Sequence, residues 1–130
     1  MSMKMSNPSG VTVPGGQYSQ AALVSGGSDL LFISGQGPQN VNGETVGIGS
    51  MTVQAEQVFQ NLQAILKAHN SSFAKAIKAT IYITDISLLG EFNAVRAKYY
   101  GTAKPASALV EVTALVDPDW MLEVELIALV

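Results

Sequence analysis

Residues 76–84 read Ala-Ile-Lys-Ala-Thr-Ile-Tyr-Ile-Thr, and their alternation decides the fold class. Ile77, Ala79, Ile81 and Ile83 fall on one side of an extended chain, and Lys78, Thr80, Tyr82 and Thr84 on the other, because successive strand side chains point to opposite faces. Upstream, Met51 to His69 has the helical period. Ala55, Val58, Phe59, Leu62, Ile65 and Leu66 recur at spacings of three and four and make one apolar face. Thr52 is a candidate cap, and Asn70-Ser71-Ser72 ends the helix. Downstream, a second helix runs from about Ser87 to Tyr100, turns Leu88, Leu89, Phe92, Val95 and Tyr99 inward, and stops at Gly101. Two strands follow, Ser107 to Leu115 and Met121 to Val130, separated by the turn residues Asp117, Pro118 and Asp119. Before the first helix, Tyr18–Ser25 and Leu30–Ser34 flank Gly26-Gly27-Ser28 as a hairpin. Gly35 to Gly49 is a Gly- and Asn-rich loop with a short strand around Glu44–Val46. Residues 1–15, with Pro8, Gly10, Pro14 and Gly15, read as a flexible arm on a single domain spanning 1–130. The order β-β-(β)-α-β-α-β-β predicts an α+β fold with two helices on one face of a mixed sheet.

Composition narrows the function classes. The chain has 130 residues, 48% hydrophobic and only 13% charged, with a net charge of −3. That balance suits a globular core and leaves little polar surface to cover the outside, so part of the apolar surface is expected in contacts between copies. The seven basic residues are scattered, without the stripe that a nucleic-acid footprint requires. There is no cysteine, which excludes disulfides and thiolate chemistry. His69 is the only histidine, so neither a His cluster for a metal nor a conventional Ser-His-Asp triad is available within one chain. No cofactor is implied. The N-terminus lacks the apolar core of a signal peptide, no apolar run is long enough to span a bilayer, and a cytoplasmic location is expected.

Glu123 and Glu125 stand two apart in the last strand and share a face, while Leu122, Val124 and Leu126 point the other way. A carboxylate on a largely apolar face is desolvated, which raises its pKa and suits it to proton donation or water positioning. An exposed edge strand with solvated glutamates is the plainer reading of the same spacing. Tyr18, after the double glycine, reads as a pocket wall or as packing. Ser34-Gly35-Gln36 sets a hydroxyl, bare backbone and an amide at a strand end, for ligand approach or for a turn. Asn61 and Asn93 interrupt helices and are expected to bind backbone or face an interface.

These segments together resemble the RidA/YjgF family of enamine/imine deaminases, also called the L-PSP endoribonuclease family. The carrying pieces are Gly16-Gln17-Tyr18-Ser19-Gln20, Phe32-Ile33-Ser34-Gly35-Gln36, Gln54 with Gln57, Asn61 and Leu62, and Lys78-Ala79-Thr80 through Thr84-Asp85. They continue with Phe92-Asn93 through Tyr99-Tyr100-Gly101, Pro105-Ala106-Ser107, Val110-Glu111-Val112 and Leu122-Glu123-Val124-Glu125. The resemblance implies a chorismate-mutase-like fold, a homotrimer, and a small-molecule pocket at each subunit junction. It implies that Glu123 positions the hydrolytic water, that Tyr18 lines the pocket, and that Ser34, Gly35 and Asn93 belong to its walls. In deaminating members an arginine after Pro-Ala grips the substrate carboxylate; here that position is Ser107. A single neutral hydroxyl cannot replace a bidentate guanidinium, which removes on the order of a few kcal/mol of carboxylate binding. Lys104 is the nearby cation. The implied activity is hydrolysis of an imine or enamine other than a small 2-imino acid. A non-catalytic ligand-binding or regulatory trimer is the alternative, and ribonuclease or translation inhibition, which the family name suggests, conflicts with the acidic balance.

Overall fold

The computed structural model describes residues 2–15, 19–27 and 29–130. Six strands and two helices carry the architecture: β1 (Ser2–Ser6), β2 (Ala21–Ser25), β3 (Leu30–Gln36), α1 (Met51–Ala68), β4 (Ala76–Ile83), α2 (Leu89–Tyr100), β5 (Ala106–Glu111) and β6 (Leu122–Leu129). The strands form one sheet in the order β1-β2-β3-β6-β4-β5. All neighbours are antiparallel except β4 and β5. That parallel pair needs a crossover, and α2 supplies it. The α+β class and the two helices agree with the reading from sequence.

The helical period of α1 acts as expected, and the strand period of β4 does so from Ala79 onward, whereas a register shift between Ala76 and Lys78 leaves Ile77 38% exposed and outside the core. Ala79, Ile81 and Ile83 of β4, Leu122, Val124, Leu126 and Ala128 of β6, and the apolar stripe of α1 close one buried cluster. Phe59 sits in its middle, stacked on Tyr99 at 5.3 Å and edge-on to Tyr100 at 5.8 Å.

Four other expectations change. Ser2–Ser6, read as part of a flexible arm, is a strand paired with β2, and Val11 beyond it is buried. The physical reason is the free edge of β2, whose N–H and C=O groups need partners. The cap of α1 is Ser50, whose hydroxyl accepts from Val53 N at 3.2 Å, two residues ahead of Thr52. The strand expected around Glu44–Val46 is a single bridge between Gln39 and Thr45. β6 is central, between β3 and β4, so an edge strand with solvated glutamates is ruled out.

The sheet face away from the helices is open and largely apolar. Met5, Ala22, Phe32, Ile127, Lys78 and Ala106 follow one another in register across all six strands. Met5 on the edge strand is 52% exposed, and Phe32, on the interior strand β3, is 39% exposed, unusual for the middle of a sheet. Among the described residues no helix is long and apolar enough to cross a membrane.

Candidate functional site on the open sheet face

The site is built where β3 loses its regular register with β6. Pairing runs from Leu30↔Leu129 to Ile33↔Leu126, then shifts so that Gln36 faces Val124. Such a bulge bends the strand and re-aims side chains. Gly35 lies inside it. A Cβ on Gly35 would overlap Oε1 of Glu123 and stand 3.0 Å from its Cδ. The glutamate therefore lies directly against bare backbone, which is the close approach that glycine permits.

Leu122 and Val124 are fully buried on the helix side, which turns Glu123 and Glu125 to the open face. Glu123 is half-buried, and its pKa is raised, first by desolvation and then by the neighbouring charge of Glu125. Across on β4, Tyr82 pairs with Glu123 and Thr80 with Glu125. The Tyr82 hydroxyl donates to Glu125 Oε1 at 3.2 Å. Burial, the Glu125 charge, this hydrogen bond and the Glu123 charge together raise the Tyr82 pKa, so it stays protonated as a donor. A groove of about 430 Å³ runs alongside, with Met5, Phe32, Ser34, Lys78, Thr80 and Glu125 in its walls.

Ser34 is fixed at both ends. Its N–H donates to Gln20 O at 2.9 Å and its hydroxyl donates to Ser19 O. Gln36 Nε2 donates to Gln20 Oε1 at 2.6 Å, a buried contact that locks the end of β3 to the segment before β2. Tyr18 lies outside the described residues; its neighbour Ser19 is held at Ser34.

One chain brings Glu123, Gly35 and Ser34 together, but not the others. Ser107 is on the edge strand β5, paired with buried Ala79, so it shares the helix-side face. One strand, β4, lies between it and β6, two strand spacings or about 10 Å across the sheet, and it points away from Glu123. Asn93 is on α2, where its Oδ1 accepts from Arg96 Nη2 at 2.6 Å while the guanidinium lies over the Phe92 ring. Lys104 is exposed in the connection before β5. The reading of single residues missed Thr80 and Tyr82. Their signal was the polar row of residues 78–84, which acquires meaning only through its register with β6. Among the described residues no group of three His, Cys, Asp or Glu side chains is placed to hold a metal.

The family described as "Endoribonuclease L-PSP" matches residues 11–130. Protein HMF1 of Saccharomyces cerevisiae is 44% identical over 98 residues, which is 75% of this chain and 73% of that protein. Among solved structures, RidA from the Antarctic bacterium Psychrobacter sp. PAMC 21119 is similar with a TM-score of 0.86 and 30% identity, over 98% of this chain and 99% of that one. E. coli TdcF, solved with bound serine, is similar with a TM-score of 0.85 and 30% identity, over 97% of this chain and 98% of that one.

Proposed function

Because the chain belongs to the L-PSP endoribonuclease family, the RidA/YjgF family, we propose that it hydrolyses an imine or enamine lacking a clamped carboxylate, in a pocket completed by a second copy of the chain in a homotrimer. The observation that carries this reading is Glu123, a half-buried carboxyl with a raised pKa, seated on the bare backbone of Gly35. A carboxyl poised nearer neutrality than a free glutamate can take a proton and return it within one turnover. Water adds to the carbon of C=N as Glu123 accepts its proton. The nitrogen receives that proton, giving a carbinolamine; the proton of the new hydroxyl then passes to the nitrogen through the same carboxyl, the C–N bond breaks, and ammonia leaves with a carbonyl product behind.

Substrate preference follows from charge. Glu123 and Glu125 share the face, and Ser107 offers no positive charge where the family's deaminases carry arginine. A small 2-imino acid would meet two carboxylates without its clamp. A neutral or cationic imine with an apolar substituent suits the Phe32 and Met5 walls of the groove better. Ser107 and Glu123 lie on opposite faces of one chain, which supports a pocket shared between copies.

The test is turnover by purified protein on neutral imines, with 2-iminopropanoate as comparison. Glu123→Gln is expected to lower kcat by about 10²- to 10⁴-fold, the usual worth of a positioned acid-base group. Unchanged turnover removes Glu123 from the assigned role. Ser107→Arg is expected to add activity on 2-iminopropanoate.

A second reading, a ligand-binding trimer without catalysis, is favoured by the same Ser107, which removes the clamp that the family's deaminases use on their substrate. A neutral ligand carried through purification, with no conversion over long incubation, selects it.

A further inference from the structure

A second pair of side chains is arranged for chemistry at the β1 edge of the sheet, between β1 and the end of α1. His69 is the residue at which α1 ends, and its backbone N–H donates to Leu66 O at 3.1 Å. Its ring Nδ1 lies 2.9 Å from Ile65 O. A carbonyl oxygen can only accept, so Nδ1 carries the proton and Nε2 presents a lone pair. That lone pair faces Ser6 Oγ at 3.0 Å. The hydroxyl therefore donates to the imidazole, and the imidazole is oriented by a third group. A nucleophile, a base and an orienting acceptor in sequence constitute the activated-serine arrangement, here with a backbone carbonyl in the place that an aspartate often fills.

The pair opens on a pocket. Lys4, Ser6, Asn7, Leu23 and His69 contribute to a cavity of about 260 Å³. Lys4 and Ser6 are two apart in β1 and share a face. Lys4 thus brings positive charge to the side from which Ser6 would attack. Asn7 Oδ1 accepts from Gln20 N at 2.9 Å, which pins the residue following the strand. None of these groups belongs to the Glu123 site.

The geometry points to an acyl-transfer site in which Ser6 is the nucleophile and His69 the general base, acting on small acyl esters. Ser6 Oγ attacks the acyl carbon and passes its proton to His69 Nε2. The Oγ–C bond forms and the ester C–O bond breaks. The leaving alcohol takes the proton from His69. Water then cleaves the acyl-serine by the same route, releasing the acid and restoring the hydroxyl. Lys4 stabilises the negative charge on the acyl oxygen during each addition.

The test is labelling of the full chain with a fluorophosphonate, located by peptide mass spectrometry, beside hydrolysis of p-nitrophenyl acetate. Label on Ser6 in the native protein is expected, falling at least about tenfold in His69→Gln, with ester hydrolysis lowered in parallel in Ser6→Ala. Absence of label on Ser6, or equal label in a His69→Gln protein that melts at the native temperature, overturns the proposal. If His69→Gln melts lower, the native protein decides. Label on Ser6 in folded but not in guanidinium-unfolded chain supports the site, and equal label in both overturns it.

Discussion

Glu123 and Gly35 constrain each other. The added methyl of Gly35→Ala would collide with the far end of a flexible side chain, not with backbone, so the carboxyl can swing away. Stability is expected to fall by less than about 1 kcal/mol, while turnover falls with the displaced carboxyl. Denaturant titration and steady-state kinetics on the same variant check the split; a large loss of stability would mean that the bulge itself is rigid. The raised pKa of Glu123 also has a thermodynamic consequence. Its cause is desolvation of the charged form, so the fold favours the protonated carboxyl relative to the unfolded chain. The stability it contributes is fully present below the ordinary value of 4.5 and is lost as pH rises through the higher folded value. Melting curves of the native protein and Glu123→Gln, taken upward from pH values below 4.5, are expected to show the native protein losing stability relative to the variant. The sequence placed both glutamates on one face. It could not place Gly35 under one of them, because that contact depends on a bulge between strands far apart in the chain.

At the scale of elements, α1 does more than cover the sheet. Two buried amides on it hold the irregular connections that flank the site. Asn61 Nδ2 donates to Gly37 O at 3.2 Å and to Gln39 O at 2.8 Å, and its Oδ1 accepts from Gln57 Nε2 at 2.8 Å. Gln54 Nε2 donates to Asp119 O, and its Oε1 accepts from Met121 N, both at 2.8 Å. Trp120 closes over Gly37, where a Cβ would stand 2.6 Å from ring atom Cε3, and its Nε1 donates to Thr45 Oγ1 at 3.2 Å. The loop after β3 and the turn before β6 are thus fastened to the same helix. Asn61→Ala leaves two carbonyls without their donor and is expected to cost about 2–3 kcal/mol. Faster amide exchange at residues 40–46, with α1 still protected, would locate the loss in the loop; uniform loss of protection would contradict it. Asparagine in a helix interior signalled such a role in the sequence. Its partners were not legible, because Gly37 and Gln39 are more than twenty residues away.

For the whole molecule, the decisive feature is the open sheet face. Phe32 and Ile127 lie side by side in the row that crosses all six strands, with Met5 further along it. An exposed apolar surface of this kind, in a chain only 13% charged, is the physical basis for the homotrimer proposed above. Phe32→Glu places a charge in that row without touching the buried face. It is expected to convert the assembly to monomers in light scattering, with the helical circular dichroism retained and imine turnover lost. An assembly unchanged by the substitution would move the interface elsewhere.

The sequence by itself determined the two helices, the order of the elements from β2 to β6 and the inward faces of α1 and β6, because periods of two and near four are local properties of the chain. It also supplied the substitution at Ser107, which needs no coordinates. Tertiary structure alone decided that β6 is central, that residues 2–6 are a strand, that Gly35 supports Glu123, and that Ser107 lies on the other face of the sheet. Each of these depends on which distant segment supplies a hydrogen-bonding partner. Register between remote strands is set by the packing of the whole domain, and no local period records it.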